Sequence, residues 1–159
     1  MENIKKEQNS GPLLSWDIYF DYYNRLMKRM NDKIYLEKFL QQHYVKIPGE
    51  LMKCVNTYDA VVITDTKQII QWVSSGFYHM TGYTFDEAIN RKPSFLQGSK
   101  TSETIKIRIR EAILKSNPVS ETLVNYRKSG IEYDCQVNIE PVFDHKKDLT
   151  HFMAFEKKI

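Results

Sequence analysis

The side chains able to do chemistry in this chain are few and scattered. Cys54 and Cys135 have no metal-like spacing, and His43, His79, His145 and His151 form no paired metal-binding pattern. Ser74-Ser75-Gly76 reads as a helix start, where a hydroxyl serves local backbone groups. No nucleophile, base and orienting residue stand together, and phosphate loops and zinc spacings are absent. Lys106, Arg108 and Arg110 make a short basic stripe that reads as a solvated helix face, because no nucleic-acid module surrounds it. Neither catalysis nor metal chemistry nor nucleic-acid binding follows from these residues.

The elements that must position them fall into two blocks, 1–50 and 51–159. Residues 1–12 read as a disordered lead. Ser15 then reads as a helix N-cap, followed by Trp16, Tyr19, Phe20, Tyr23, Leu26, Met27 and Met30 on one helical stripe. Asn31-Asp32 interrupts the pattern, and Asp32 is placed to cap a second helix carrying Leu36, Phe39, Leu40 and Tyr44, which Pro48-Gly49 ends. Burying one Phe or Leu is worth about 1.5–3 kcal/mol, so the stripe must find a cover. Packing on the domain that follows and pairing with a second copy are both open, and they are compatible.

From Leu51 onward the period changes. Val61-Val62-Ile63 and Ile69-Ile70-Gln71-Trp72-Val73 flank Thr66-Lys67-Gln68 and predict a hairpin. Phe77–Met80, Phe85–Ile89 and Glu103–Leu114 are helical in pattern, the last capped by Thr101 or Ser102 and stopped at Asn117-Pro118. Tyr133, Cys135, Val137 and Ile139 alternate with Glu132, Asp134, Gln136, Asn138 and Glu140, which predicts a half-buried antiparallel strand.

Composition sets the outer bounds. A chain of 159 residues holds one domain with a core plus an appendage. It is 42% apolar and 27% charged with a net charge of +3, ordinary for a soluble globular protein. No apolar run approaches the roughly 20 residues that span a bilayer, and MENIKKEQNSGP lacks the apolar stretch of a signal peptide. The expectation is a cytoplasmic protein with reduced thiols.

The run Asn90-Arg91-Lys92-Pro93-Ser94-Phe95-Leu96-Gln97-Gly98 resembles the G-R-N-C-R-F-L-Q-G motif of the LOV branch of PAS domains, whose cysteine attacks flavin under blue light. VVITDTKQIIQWVSSGF resembles the opening hairpin and helix start of that family, SETLVNYRKSGIEYDCQVNIEPV its two long central strands, and LTHFMAFEKKI its closing strand. The resemblance covers about two thirds of the chain, roughly Val61 to Glu156. It implies an α+β PAS fold: a five-stranded antiparallel sheet with helices on one face, behind an N-terminal helical extension.

The resemblance also assigns cavity positions. Asn125 matches the first flavin-contacting asparagine and Gln97 is kept. Cys135 takes the second asparagine's place and Glu156 the glutamine's. Arg110 matches the phosphate arginine of the long helix, while Ser94 stands where the second arginine would be and Pro93 where the reactive cysteine would be. Cys135 lacks the amide's paired donor and acceptor, and Glu156 only accepts when ionised. These departures disfavour FMN and remove the cysteinyl adduct. His79, the one helical candidate for a haem ligand in the PAS segment, falls outward by its neighbours, which disfavours haem. Asn125, Cys135 and Glu156 should face the helices together, while Val124, Tyr126, Met153 and Phe155 face the other way.

The reading is a stand-alone, non-enzymatic PAS sensory or protein-interaction module in signal transduction, with no kinase, cyclase or DNA-binding segment after Ile159. It signals through a homodimer made by the N-terminal helices, or through a downstream signalling protein. The alternative is a LOV-like flavin receptor that works without the adduct.

Overall fold

A computed structural model describes residues 13–45, 47, 49–55 and 57–159, except for the side chains of residues 13–17, 25, 50 and 54. The expected disordered lead, the side-chain roles of Ser15, Trp16 and Cys54, and the stop at Pro48 lie outside the described residues.

The extension forms one helix, α1 (Leu13–Gln42), where two were expected. It is already helical at Leu13, two residues ahead of Ser15. It also runs through Asn31-Asp32, because Asn and Asp cost under about 0.7 kcal/mol each in a helix interior. The Asp32 carboxylate serves another helix instead: it accepts from the backbone N–H of Ser75 at 2.9 Å and from its hydroxyl at 2.7 Å. The helix stops in a reversal built on Tyr44 at φ 55°. Val45 N–H donates to the Leu40 carbonyl at 2.9 Å and Tyr44 N–H to Gln41 at 3.2 Å, while Val45 and Leu40 share one buried cluster. Tyr44, expected on the apolar face, is exposed. A short helix α2 (Gly49–Cys54), not foreseen, follows.

Five strands then form one antiparallel sheet in the order β2-β1-β5-β4-β3: β1 (Ala60–Asp65), β2 (Ile70–Val73), β3 (Val119–Tyr126), β4 (Glu132–Phe143) and β5 (Leu149–Lys158). Between β2 and β3 come α3 (Ser75–Thr81), α4 (Phe85–Ala88), a 3-10 turn at Pro93–Leu96 and α5 (Glu103–Leu114). The β1–β2 turn closes on Asp65, whose Oδ1 accepts from Lys67 and Ile69 N–H, with Gln68 at φ 64°. Thr84 and Glu87 start α4 with a reciprocal capping box. Ser102 occupies the cap position of α5 without a side-chain bond; Thr101 instead accepts from Gly98 N–H and donates to the Val124 carbonyl.

Alternation along the strands separates two cores. Ala60, Val62, Tyr133 and Cys135 meet Phe77, Met80, Ala88 and Leu96 beneath the helices α3, α4 and the 3-10 turn. On the other face Val61, Ile63, Met153 and Phe155 meet Leu36 and Leu40 of α1, with Leu51 and Met52 of α2 packed against them. The second half of α1 is thus the cover of the outer sheet face. Ahead of it Phe20, Tyr23, Met27 and Met30 stay exposed. Tyr126, expected on the outer face, is taken up at the β3 edge, where its hydroxyl accepts from Lys100 N–H at 3.1 Å. Gly76 is required where α3 meets β1, since a Cβ there would stand 1.8 Å from the Asp59 carbonyl oxygen.

Candidate functional site

Between the sheet and α5 lies a cavity of about 120 Å³. Its walls are Thr64 of β1, Lys92, Ser94, Leu96 and Gln97 around the 3-10 turn, Ile109 and Ile113 of α5, and Asn125, Val137, Phe152, Ala154 and Glu156 of the sheet. The in-phase alternation of β3, β4 and β5 carries the sheet side chains inward. Pro93 also lines it. As the first residue of the 3-10 turn it loses no hydrogen bond, because an N–H there has no partner within the helix.

Polar groups in this interior are left unsatisfied. Asn125, Tyr133 and Glu156 are all buried; Asn125 Oδ1, the Tyr133 hydroxyl and Glu156 Oε2 have no partner of full hydrogen-bond geometry, although the Asn125 side chain lies near enough to the Tyr133 phenol to offset part of its rise. Each such group costs about 1–3 kcal/mol unless something satisfies it. Burial alone pushes the Glu156 carboxyl up to about 7, so it is a proton donor as readily as an acceptor near neutral pH. Burial first, then Glu156 and Cys135, hold the Tyr133 phenol above its ordinary range. Burial first, then Glu156, likewise pushes the Cys135 thiol up, which keeps it protonated and unreactive.

Of the positions assigned from the sequence, Asn125, Glu156 and Gln97 line the cavity together. Cys135 faces the helices as expected but sits in the packed cluster with Phe77, Met80 and Leu96 and is not on the cavity wall. Arg110 does not reach the cavity; it is exposed on α5. Tyr133, which pairs directly across from Asn125, is the polar group that sequence reasoning passed over. Its inward phase was visible, but its hydroxyl was counted with the apolar face. Lys92 is the one cation among the lining residues.

The flavin mononucleotide that the LOV resemblance implies does not match this donor set. Its ring edge would meet Asn125, Gln97 and Glu156, but no arginine lines the cavity for the phosphate. The volume of about 120 Å³ is also below the roughly 300–1,000 Å³ of ligand pockets for molecules of that size. With Pro93 on the wall, no thiol stands there to attack a ring.

The remaining candidates are structural. Ser74 Oγ accepts from Val61 N–H at 2.9 Å and Ser75 is held by Asp32, so both serines tie elements together. His151 is buried beside Phe39 and His43 on the outer face, with ring centroids 5.4 and 4.9 Å away, and burial lowers its basicity. No group of three metal-ligating side chains occurs among the described residues, and no described helix is long and apolar enough to cross a membrane.

Residues 59–157 match the family model for the PAS domain. A blue-light photoreceptor of Listeria innocua is 35% identical over 113 residues, covering 69% of this chain and 44% of that protein. Protein TWIN LOV 1 of Arabidopsis thaliana is 40% identical over 92 residues, covering 57% of this chain and 23% of that protein. The chain therefore spans less than half the length of these relatives. The dark structure of the blue-light photoreceptor Aureochrome1 LOV superimposes with a TM-score of 0.66 at 29% identity, over 72% of this chain and 86% of that one.

Proposed function

This chain belongs to the PAS domain family, and from that premise we propose a non-enzymatic sensory module whose cavity state is passed to α1 and from there to a second copy or a signalling partner. The observation that supports it is the double use of β5. Phe152, Ala154 and Glu156 line the cavity, while Met153 and Phe155 of the same strand carry the outer-face cluster in which α1 is anchored. A ligand that satisfies Glu156 and moves β5 must also move the seat of α1. The exposed residues of α1 then offer the output surface, because Phe20, Tyr23, Met27 and Met30 form an apolar stripe of the kind that marks a protein contact. Self-association through α1 is the simplest use of it.

The cavity suits a ligand smaller than flavin, held by Asn125, Glu156 and Gln97. A second reading, flavin bound without adduct formation, is favoured by the similarity to LOV photoreceptors. One experiment separates the two: an absorption spectrum of the freshly purified full chain, with native mass spectrometry of the same sample. A small non-covalent adduct without the yellow flavin band supports the first reading. A flavin mass with that band replaces it with the second. A protein that carries no ligand, and whose α1 behaviour is indifferent to substitutions at Asn125 and Glu156, overturns the sensory role of the cavity.

A further inference from the structure

We propose that two copies pair through α1 as an antiparallel coil, Met27 of each against Met30 of the other. This rests on the self-association reading above and adds to it an orientation and a register. Phe20, Tyr23, Met27, Met30 and Ile34 recur at alternating intervals of three and four, the spacing at which helices interlock side chains along a seam. All five are exposed, from 38% at Met27 to 66% at Phe20. The opposite side of the helix is already occupied: Asp32 grips Ser75, and Leu36 and Leu40 are buried in the outer-face cluster. The seam therefore points away from the chain's own domain and is free to meet its twin along roughly 21 Å of helix.

Charge decides the direction. The next seam position after Ile34 is Glu37, and Lys33 and Lys38 flank the seam on either side. A parallel, in-register pair would set Glu37 against Glu37 and bring Lys33 beside Lys38 of the other copy twice, opposing like charges at every turn there. Reversing one helix removes all of these clashes. The layers become Met27 on Met30, Tyr23 on Ile34 and Phe20 on the stem of Glu37, while Lys33 falls beside Leu26 and Asn24 beside Asn31. A two-fold axis through the middle of the Met27–Met30 layers makes the patch complementary to itself, as a C2 pair demands. A second copy is thus the occupant this surface fits.

The test uses full-length chains carrying Cys54→Ser with either Phe20→Cys or Glu37→Cys; the buried Cys135 stays out of reach of a cross-link. Oxidation of the two chains mixed should give a disulfide-linked dimer. Each chain oxidised alone should give none, because positions 20 and 20 would lie roughly 25 Å apart along the coil, and a disulfide needs Cα atoms within about 7 Å. Cross-linking of Phe20→Cys with itself would establish a parallel pair and overturn this inference while leaving self-association standing. A wild-type monomer by light scattering at micromolar concentration would remove both. Met27→Lys, at a position exposed in the single chain, should weaken dimerisation at least tenfold with an unchanged melting profile for the monomer. A dimer indifferent to it would rule out the seam.

Discussion

Replacing the buried carboxyl of Glu156 by an amide should flatten the dependence of stability on pH. The folded carboxyl titrates at about 7 and the unfolded one at 4.5, with burial as the cause. Between those values the folded chain holds a proton that the unfolded chain has lost, so stability falls as pH rises through the window. It is fully present below about pH 4.5 and gone above about pH 7. A gap of about 2.5 pH units at about 1.4 kcal/mol each makes the loss about 3 kcal/mol across the window. Glu156→Gln keeps the size of the side chain and has no proton to lose. The measurement is urea unfolding of wild type and variant at steps from pH 4 to 9, read as the difference in free energy at each pH. His151, whose basicity burial lowers, is present in both proteins and cancels from the difference. The variant should gain on wild type by about 3 kcal/mol between pH 4.5 and 8. A difference that stays constant with pH would refute the reasoning, because it would mean that the carboxyl is hydrated or paired in the folded state.

Three further outcomes follow from single contacts. Asp32→Ala leaves the Ser75 amide and hydroxyl without their acceptor; it should cost about 1 kcal/mol in chemical unfolding and loosen α1, seen as faster amide exchange around residues 28–40. Gly76→Ala forces a methyl to within 1.8 Å of the Asp59 carbonyl oxygen and should lower stability by about 3 kcal/mol or more, measured by the denaturant midpoint. Pro93→Cys places a thiol at the cavity wall yet should leave the absorption spectrum unchanged under blue light, since Lys92 is the one cation lining the cavity and no arginine is there to clamp a flavin phosphate; a light-dependent bleaching would show that flavin binds after all.

Much of the domain was legible because its signals are local. β4 declared itself by strict alternation, and the observed burial of Tyr133, Cys135 and Val137 follows that alternation. The helix over Glu103–Leu114 appeared at the expected bounds, since its periodicity and the Asn117-Pro118 stop act within a few residues. Asp32 is the informative miss. Its side chain was recognised as a helix cap, but the helix it caps is α3, 43 positions away, and nothing in a local window distinguishes the two. The chain passes through Asn31-Asp32 because the tertiary contact at Ser75 offsets a small propensity cost. The end of α1 was misplaced for a similar reason: a non-glycine residue, Tyr44, adopts the left-handed turn so that Val45 can join Leu40 in the core.

The cavity was less legible than the fold, and the difference is one of geometry. Face can be read from a period of two, so Asn125, Cys135 and Glu156 were all placed inward correctly. Depth along the face cannot: Cys135 lies under the packed end with Phe77 and Leu96, while Glu156 and Asn125 reach the space beneath α5. Arg110 was assigned by motif position alone, and a helix rotates side chains by about 100° per residue, so a match in sequence does not fix which way the guanidinium points. What the sequence did expose was a carboxyl at position 156, on the inward phase of β5. In a polar cleft a carboxyl would be solvated and titrate in its ordinary range. On a strand whose inner face is sealed by Phe152 and Ala154 it creates a titrating group at the centre of the domain, one residue from Phe155 and the seat of α1. On the function proposed above, a proton or ligand that settles Glu156 would act on the same strand that anchors α1, and no longer path would be needed to connect them.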